Sequence, residues 1–78
     1  MIAACAAGCG EGRQKLETLR LEDVPPDLMK IAQEQLPGVV FDTVWKKASG
    51  TLEIRGKAKN GKIREVDIRP DGTIEEVE

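Results

Sequence analysis

The sequence predicts a small α+β domain, one helix packed on a three- to four-stranded antiparallel β-meander, with a short N-terminal strand as an optional addition. Three observations predict it. Apolar residues recur at helical spacing between two proline-marked boundaries, Val24-Pro25-Pro26 and Pro37-Gly38. From Val39 onward, strand-forming runs alternate with the turn signals Ser49-Gly50, Asn60-Gly61 and Pro70-Asp71-Gly72. A chain of 78 residues has room for a single domain, and one helix covering one face of an antiparallel sheet buries both apolar surfaces most simply.

Residues 1–15 read differently from the rest. Met1 to Gly10 is small and apolar, holds both cysteines, and is too short to span a membrane. It resembles the end of a bacterial lipoprotein signal, in which small side chains surround the scissile bond and the freed cysteine thiol takes the lipid. Two frames fit, Ile2-Ala3-Ala4-Cys5 and Ala6-Ala7-Gly8-Cys9, so Cys9 and Cys5 are the lipidation candidates. The other reading of 1–15 is a disordered tail. No metal is expected at these thiols, because two cysteines without any histidine leave a zinc ion short of ligands.

The folded domain is expected over residues 16–78. Leu16 to Glu22 alternates as a short strand would, with Leu19 and Leu21 on one face. Asp23 is placed to cap the helix that Pro26 opens. Leu28, Ile31, Ala32 and Leu36 then fall on one helical face, and Pro37-Gly38 ends the helix. Val39 to Lys47 is rich in β-formers, with Phe41 and Thr43 expected on the face of Trp45. Thr51 to Lys59 alternates cleanly: Leu52, Ile54, Gly56 and Ala58 on one face, Glu53, Arg55, Lys57 and Lys59 on the other. The small Gly56 and Ala58 would let the helix approach closely. Asn60-Gly61 predicts a two-residue type I′ hairpin. Ile63 to Arg69 returns with Val66 and Ile68 inward, so that Ile63 either points outward or adjoins a bulge. Thr73 to Val77 forms a short last strand.

Charge and chemistry narrow the function. The chain has 12 basic and 14 acidic residues, and the basic ones concentrate between Thr43 and Arg69. There is no histidine and no tyrosine, and Thr18, Thr43, Ser49, Thr51 and Thr73 lie in no nucleophile motif, so an enzyme is not expected. Neither a cofactor nor a metal is expected. Binding remains, with Trp45, Phe41, Lys46, Lys47, Arg55 and Lys57 as candidate residues. Trp45 has two readings, an anchor for a partner or a core residue under the helix, and core burial is favoured. The partner classes are an envelope protein or peptide added at a sheet edge, a small ligand, and, less favoured, a nucleic acid on the basic sheet. A purely structural accessory domain is the alternative.

The residues around these turns carry a resemblance. Asp23-Val24-Pro25 ahead of the helix, Leu36-Pro37-Gly38 at its end, Asn60-Gly61-Lys62, and Val66-Asp67-Ile68-Arg69-Pro70-Asp71-Gly72-Thr73-Ile74 stand in the order and spacing of PepSY and PepSY-like domains. The chain resembles that family from Leu19 to Val77, departing at Leu52-Glu53-Ile54, where relatives often carry an aromatic. The resemblance implies a periplasmic or extracellular module of the bacterial envelope, inhibitory or ligand-binding, with no catalytic residues common to the family.

Overall fold

Three hairpins of one design set the architecture. In the computed structural model, which describes residues 16–78, each hairpin loop has three residues and ends in glycine: Ala48-Ser49-Gly50, Lys59-Asn60-Gly61 and Pro70-Asp71-Gly72. The glycine N–H donates to the carbonyl of Lys47, Ala58 or Arg69 at 2.8–2.9 Å, and each glycine takes a φ of 85–94°. This is a type I turn followed by a left-handed residue. Ala58 N–H donates to the Lys62 carbonyl across Lys59-Asn60-Gly61, so the two-residue type I′ turn expected at Asn60-Gly61 is corrected to a three-residue one. The residue before each glycine adds a local clasp. Ser49 Oγ, Asn60 Oδ1 and Asp71 Oδ1 accept the N–H two residues on, at 3.4, 3.0 and 2.9 Å.

The elements are β1 (Leu16–Leu19), a 3₁₀ turn (Leu21–Asp23), α1 (Pro26–Gln35), β2 (Val40–Lys47), β3 (Leu52–Lys57), β4 (Ile63–Ile68) and β5 (Ile74–Val77). All five strands join one antiparallel sheet in chain order. This corrects the expected helix on a three- to four-stranded meander: the domain is richer in sheet, and its helix is a short one of ten residues. The reason is that β2 is paired on both edges: Val44 to Lys46 meet β3 on one side, and Val44 to Lys47 take Leu16–Leu19 on the other. At the other side, Glu65 and Glu78 exchange backbone hydrogen bonds at 2.9 and 2.7 Å and tie the chain end into the sheet.

A bulge at Asp42 decides which side chains are buried. The register of β2 on β3 shifts between Phe41 and Thr43, so Phe41 and Val44 both face the helix while Thr43 and Trp45 face away. Phe41 therefore does not share the face of Trp45, as strict alternation had implied. The bulge also explains Gly56. A Cβ there would strike the Val40 carbonyl oxygen and the Phe41 Cα, so the close approach that requires glycine comes from β2 and not from the helix.

The helix packs Leu28, Ala32 and Leu36 on the sheet, with Ile31 at the margin. They close a core with Val24, Phe41, Val44, Leu52, Ile54, Val66 and Ile68. Burying each Leu or Ile side chain contributes about 1.5–3 kcal/mol, which an aliphatic core of this size needs in full. Asp23 does not cap α1, as the sequence suggested. Pro25 holds that position without a side-chain bond, and Asp23 Oδ2 instead accepts the Arg20 backbone N–H at 3.3 Å, closing the 3₁₀ turn. That turn also takes Leu21 out of the first strand. Ile63 points outward, 54% exposed, and the bulge of β4 lies further on, between Asp67 and Ile68.

Candidate functional site

The helix covers one face of the sheet, and among the described residues no element covers the other. The open face can be built from the registers. Its first row is Val40, Lys57 and Ile63; its second is Thr43, Arg55 and Glu65; its third is Thr18, Trp45, Glu53, Asp67 and Glu76. Beyond these lie Leu16 and Lys47. Polar residues alternate with core residues along the middle of β2, β3 and β4, so the middle of the face is ionic around Trp45, with the apolar Val40, Ile63 and Leu16 at its margins.

Trp45 is half-buried here and does not lie under the helix, which corrects the favoured reading. The Arg55 guanidinium sits over its ring, 4.6 Å from the centroid, a cation–π contact. Arg55 also donates to Glu65 Oε1 at 3.4 Å. Lys47 is held among three carboxylates, with Nζ 3.5 Å from Glu53, 3.4 Å from Asp67 and 3.3 Å from Glu75. Burial alone would lower the pKa of this ammonium, but Glu75, Asp67 and Glu53 raise it above the ordinary lysine value. Arg69 grips Glu75 from the other side at 3.1 Å, and that contact, with Lys47, holds the Glu75 carboxyl below its usual range. Burial first, then the Asp67 and Glu53 carboxylates, push Glu65 up to about 7 against the opposing pull of Arg55.

The six residues singled out from sequence do not form one patch. Trp45, Lys47, Arg55 and Lys57 share the open face, whereas Phe41 is in the core and Lys46 is on the helix side. Lys57 is exposed between Val40 and Ile63, which are 72% and 54% exposed. Lys46 stands at the rim of a cleft of about 350 Å³ with an apolar lining from Leu19, Pro25, Leu28 and Leu52. Lys47 and Arg55 are engaged by carboxylates, and neither presents a free cation. Cys5 and Cys9 lie outside the described residues.

Sequence reasoning missed Glu53, Glu65 and Asp67, whose carboxylate oxygens lie within 4.8 Å of one another. A signal was present. A hairpin centred on Asn60 pairs Glu53 with Asp67 and Arg55 with Glu65, so the spacing alone places two acids side by side.

The two edges of the sheet differ. The β5 edge carries Glu75, Glu76 and Glu78, the charged guard typical of edges that avoid pairing. The β1 edge reads Leu16-Glu17-Thr18-Leu19, has one charge, neither proline nor bulge, and exposes half of Leu16. No described helix is long and apolar enough to cross a membrane. Comparison with known proteins adds no relative: no family profile matches the chain, and no curated protein or solved structure is significantly similar to it.

Proposed function

We propose that the chain is a non-catalytic, PepSY-like binding module of the bacterial cell envelope that takes an extended segment of a partner protein on the edge of β1. The observation that carries this reading is the contrast between the edges. One is guarded by three acids, and the other, which no strand among the described residues pairs, carries a single charge. An added strand would gain main-chain hydrogen bonds there, and alternate side chains would meet different neighbours. On the open face these are Leu16, Thr18 and, beyond the small threonine, the indole of Trp45. On the helix side the immediate neighbour is Glu17, with Lys46 one strand further in, so apolar residues alternating with a basic one suit the edge. The resemblance in the helix boundaries and turns supports an inhibitory or ligand-binding role in the same compartment, with Cys5 or Cys9 as the anchor point of a lipidated form.

The test combines capture with localisation. The full chain, immobilised, is exposed to an envelope extract beside Leu16→Asp and Trp45→Ala. A peptide from any captured protein is then added while amide hydrogen exchange is followed. The reading expects one protein to be lost with both substitutions, and its peptide to slow exchange in Leu16–Leu19. Protection confined to the cleft around Leu28 and Lys46, or capture indifferent to both substitutions, would overturn it.

A further inference from the structure

The strongest unexplained feature of the molecule is a carboxylate that nothing described neutralises in full. Asp67 stands in the middle of a cross-strand row, with Glu53 on one side and Glu76 on the other. Like charges directly opposite one another destabilise a sheet. Its side chain is only 6% exposed. Lys47 approaches Asp67 Oδ2 at 3.4 Å, but Asp67 Oδ1 is buried and meets no hydrogen-bond donor among the described residues. An orphaned acceptor of this kind calls for an explanation, because leaving it unmade costs more than making it gains.

From this arrangement we propose that Glu53, Glu65 and Asp67 form a binding site for a calcium ion on the open face of the sheet. Each offers a carboxylate oxygen, and the three lie within 4.8 Å of one another. Calcium bonds oxygen at roughly 2.3–2.6 Å, so oxygens with this spacing can share one ion. The two strands hold the ligands without any loop, since Glu53 and Asp67 are register partners and Glu65 lies two residues back along β4 on the same face. Lys47 engages Asp67 Oδ2 and Glu53 Oε2, and Arg55 engages Glu65 Oε1, so a second oxygen remains on every carboxylate.

The charge around the site favours a further cation. Glu53, Glu65, Asp67, Glu75, Glu76 and Glu78 gather on this face and chain end against Lys47, Arg55, Lys57 and Arg69. The donor chemistry selects the ion. Oxygen ligands without histidine or thiolate suit a hard cation, and three carboxylates completed by water suit the loose, high coordination of calcium better than the strict octahedron of magnesium. Few protein ligands and an open face imply weak binding, at about the 10⁻⁴–10⁻³ M that characterises extracellular calcium modules. Sequence reasoning expected no metal because it looked for thiols and histidine. The carboxylates meet only through the β3–β4 register.

Trp45 supplies a readout of its own, because it neighbours Glu53 in the third row and carries Arg55 over its ring. Terbium, which replaces calcium at oxygen sites, would luminesce on excitation of the indole. The experiment titrates terbium, then calcium, then magnesium into the full chain, with thermal melting in parallel, and repeats both on Asp67→Asn and on Glu34→Gln as a remote control. The site predicts sensitised terbium emission that calcium displaces, a melting temperature that rises with calcium, and at least about a tenfold weaker affinity in Asp67→Asn but not in Glu34→Gln. Should Asp67→Asn fail to fold, Glu53→Gln carries the same expectation. Absence of emission and of any melting shift at millimolar calcium would overturn the proposal. So would unchanged affinity in the substituted chains, or displacement by magnesium as effective as by calcium, which would mark a diffuse acidic surface.

Discussion

Glu65 stands between opposing demands: Arg55 donates to it from the neighbouring strand, while the Asp67 and Glu53 charges and its own burial favour the protonated form. With a pKa of about 7 in the fold, against an ordinary value near 4.3 for an unfolded glutamate, the folded chain binds this proton more tightly than the unfolded one. Its contribution to stability is therefore fully present below the unfolded pKa and is lost as pH rises through about 7. Glu75 runs the other way, since its lowered pKa contributes stability that is lost in acid. The difference between chains isolates the effect. In chelator-treated buffer, the wild-type melting temperature should fall relative to that of Glu65→Gln between about pH 5 and pH 8. Melting curves of the two chains that move in parallel across that window would refute the assignment.

The elements teach which parts of the fold are written locally. The helix needed only Pro26, its apolar spacing and Pro37-Gly38, and all of that was legible in the sequence. The turns were legible as turns, but their type was not, because Asn60-Gly61 supports either a two- or a three-residue loop until the strand register chooses. The Asp42 bulge and the fifth strand were not legible at all. Whether Asp42 is skipped depends on Gly56 in the partner strand, and a four-residue β1 becomes a strand only by pairing with the free edge of Val44–Lys47, which is distant in sequence. The candidate site sits between these cases. Trp45 and Arg55 were named from sequence, whereas the carboxylates became a cluster only through pairing across the hairpin. Two glycines separate local from non-local control. At Gly61, φ is 85° and a Cβ would meet open space, so Gly61→Ala should cost about 1–2 kcal/mol from backbone strain alone. At Gly56 a Cβ meets the backbone of β2, so Gly56→Ala should cost about 3 kcal/mol, the upper end for overpacking. Urea midpoints of the two variants test this, and equal losses would show that the bulge is not held against Gly56.

As a whole, the molecule is one-sided: apolar packing holds the helix face, and ion pairs with one indole cover the other. Stability should therefore fall from the centre of the sheet outward, because β3 and β4 carry Leu52, Ile54, Val66 and Ile68 in the core while β1 contributes Leu19 alone. Opening free energies follow such differences in buried contacts. Amide exchange in the full chain should be slowest in β3 and β4, faster in β5, and fastest in β1, whose outer backbone groups face no described strand. The order matters for the proposed role. A strand that pairs loosely on one side can accept a partner on the other without breaking the core, and binding then appears as protection confined to Leu16–Leu19. Protection of β1 that grows with protein concentration would identify a second copy as the occupant of that edge. Protection of β1 equal to that of β3 at every dilution would mean that the edge is already covered, and the binding site would have to be sought on the open face around Trp45.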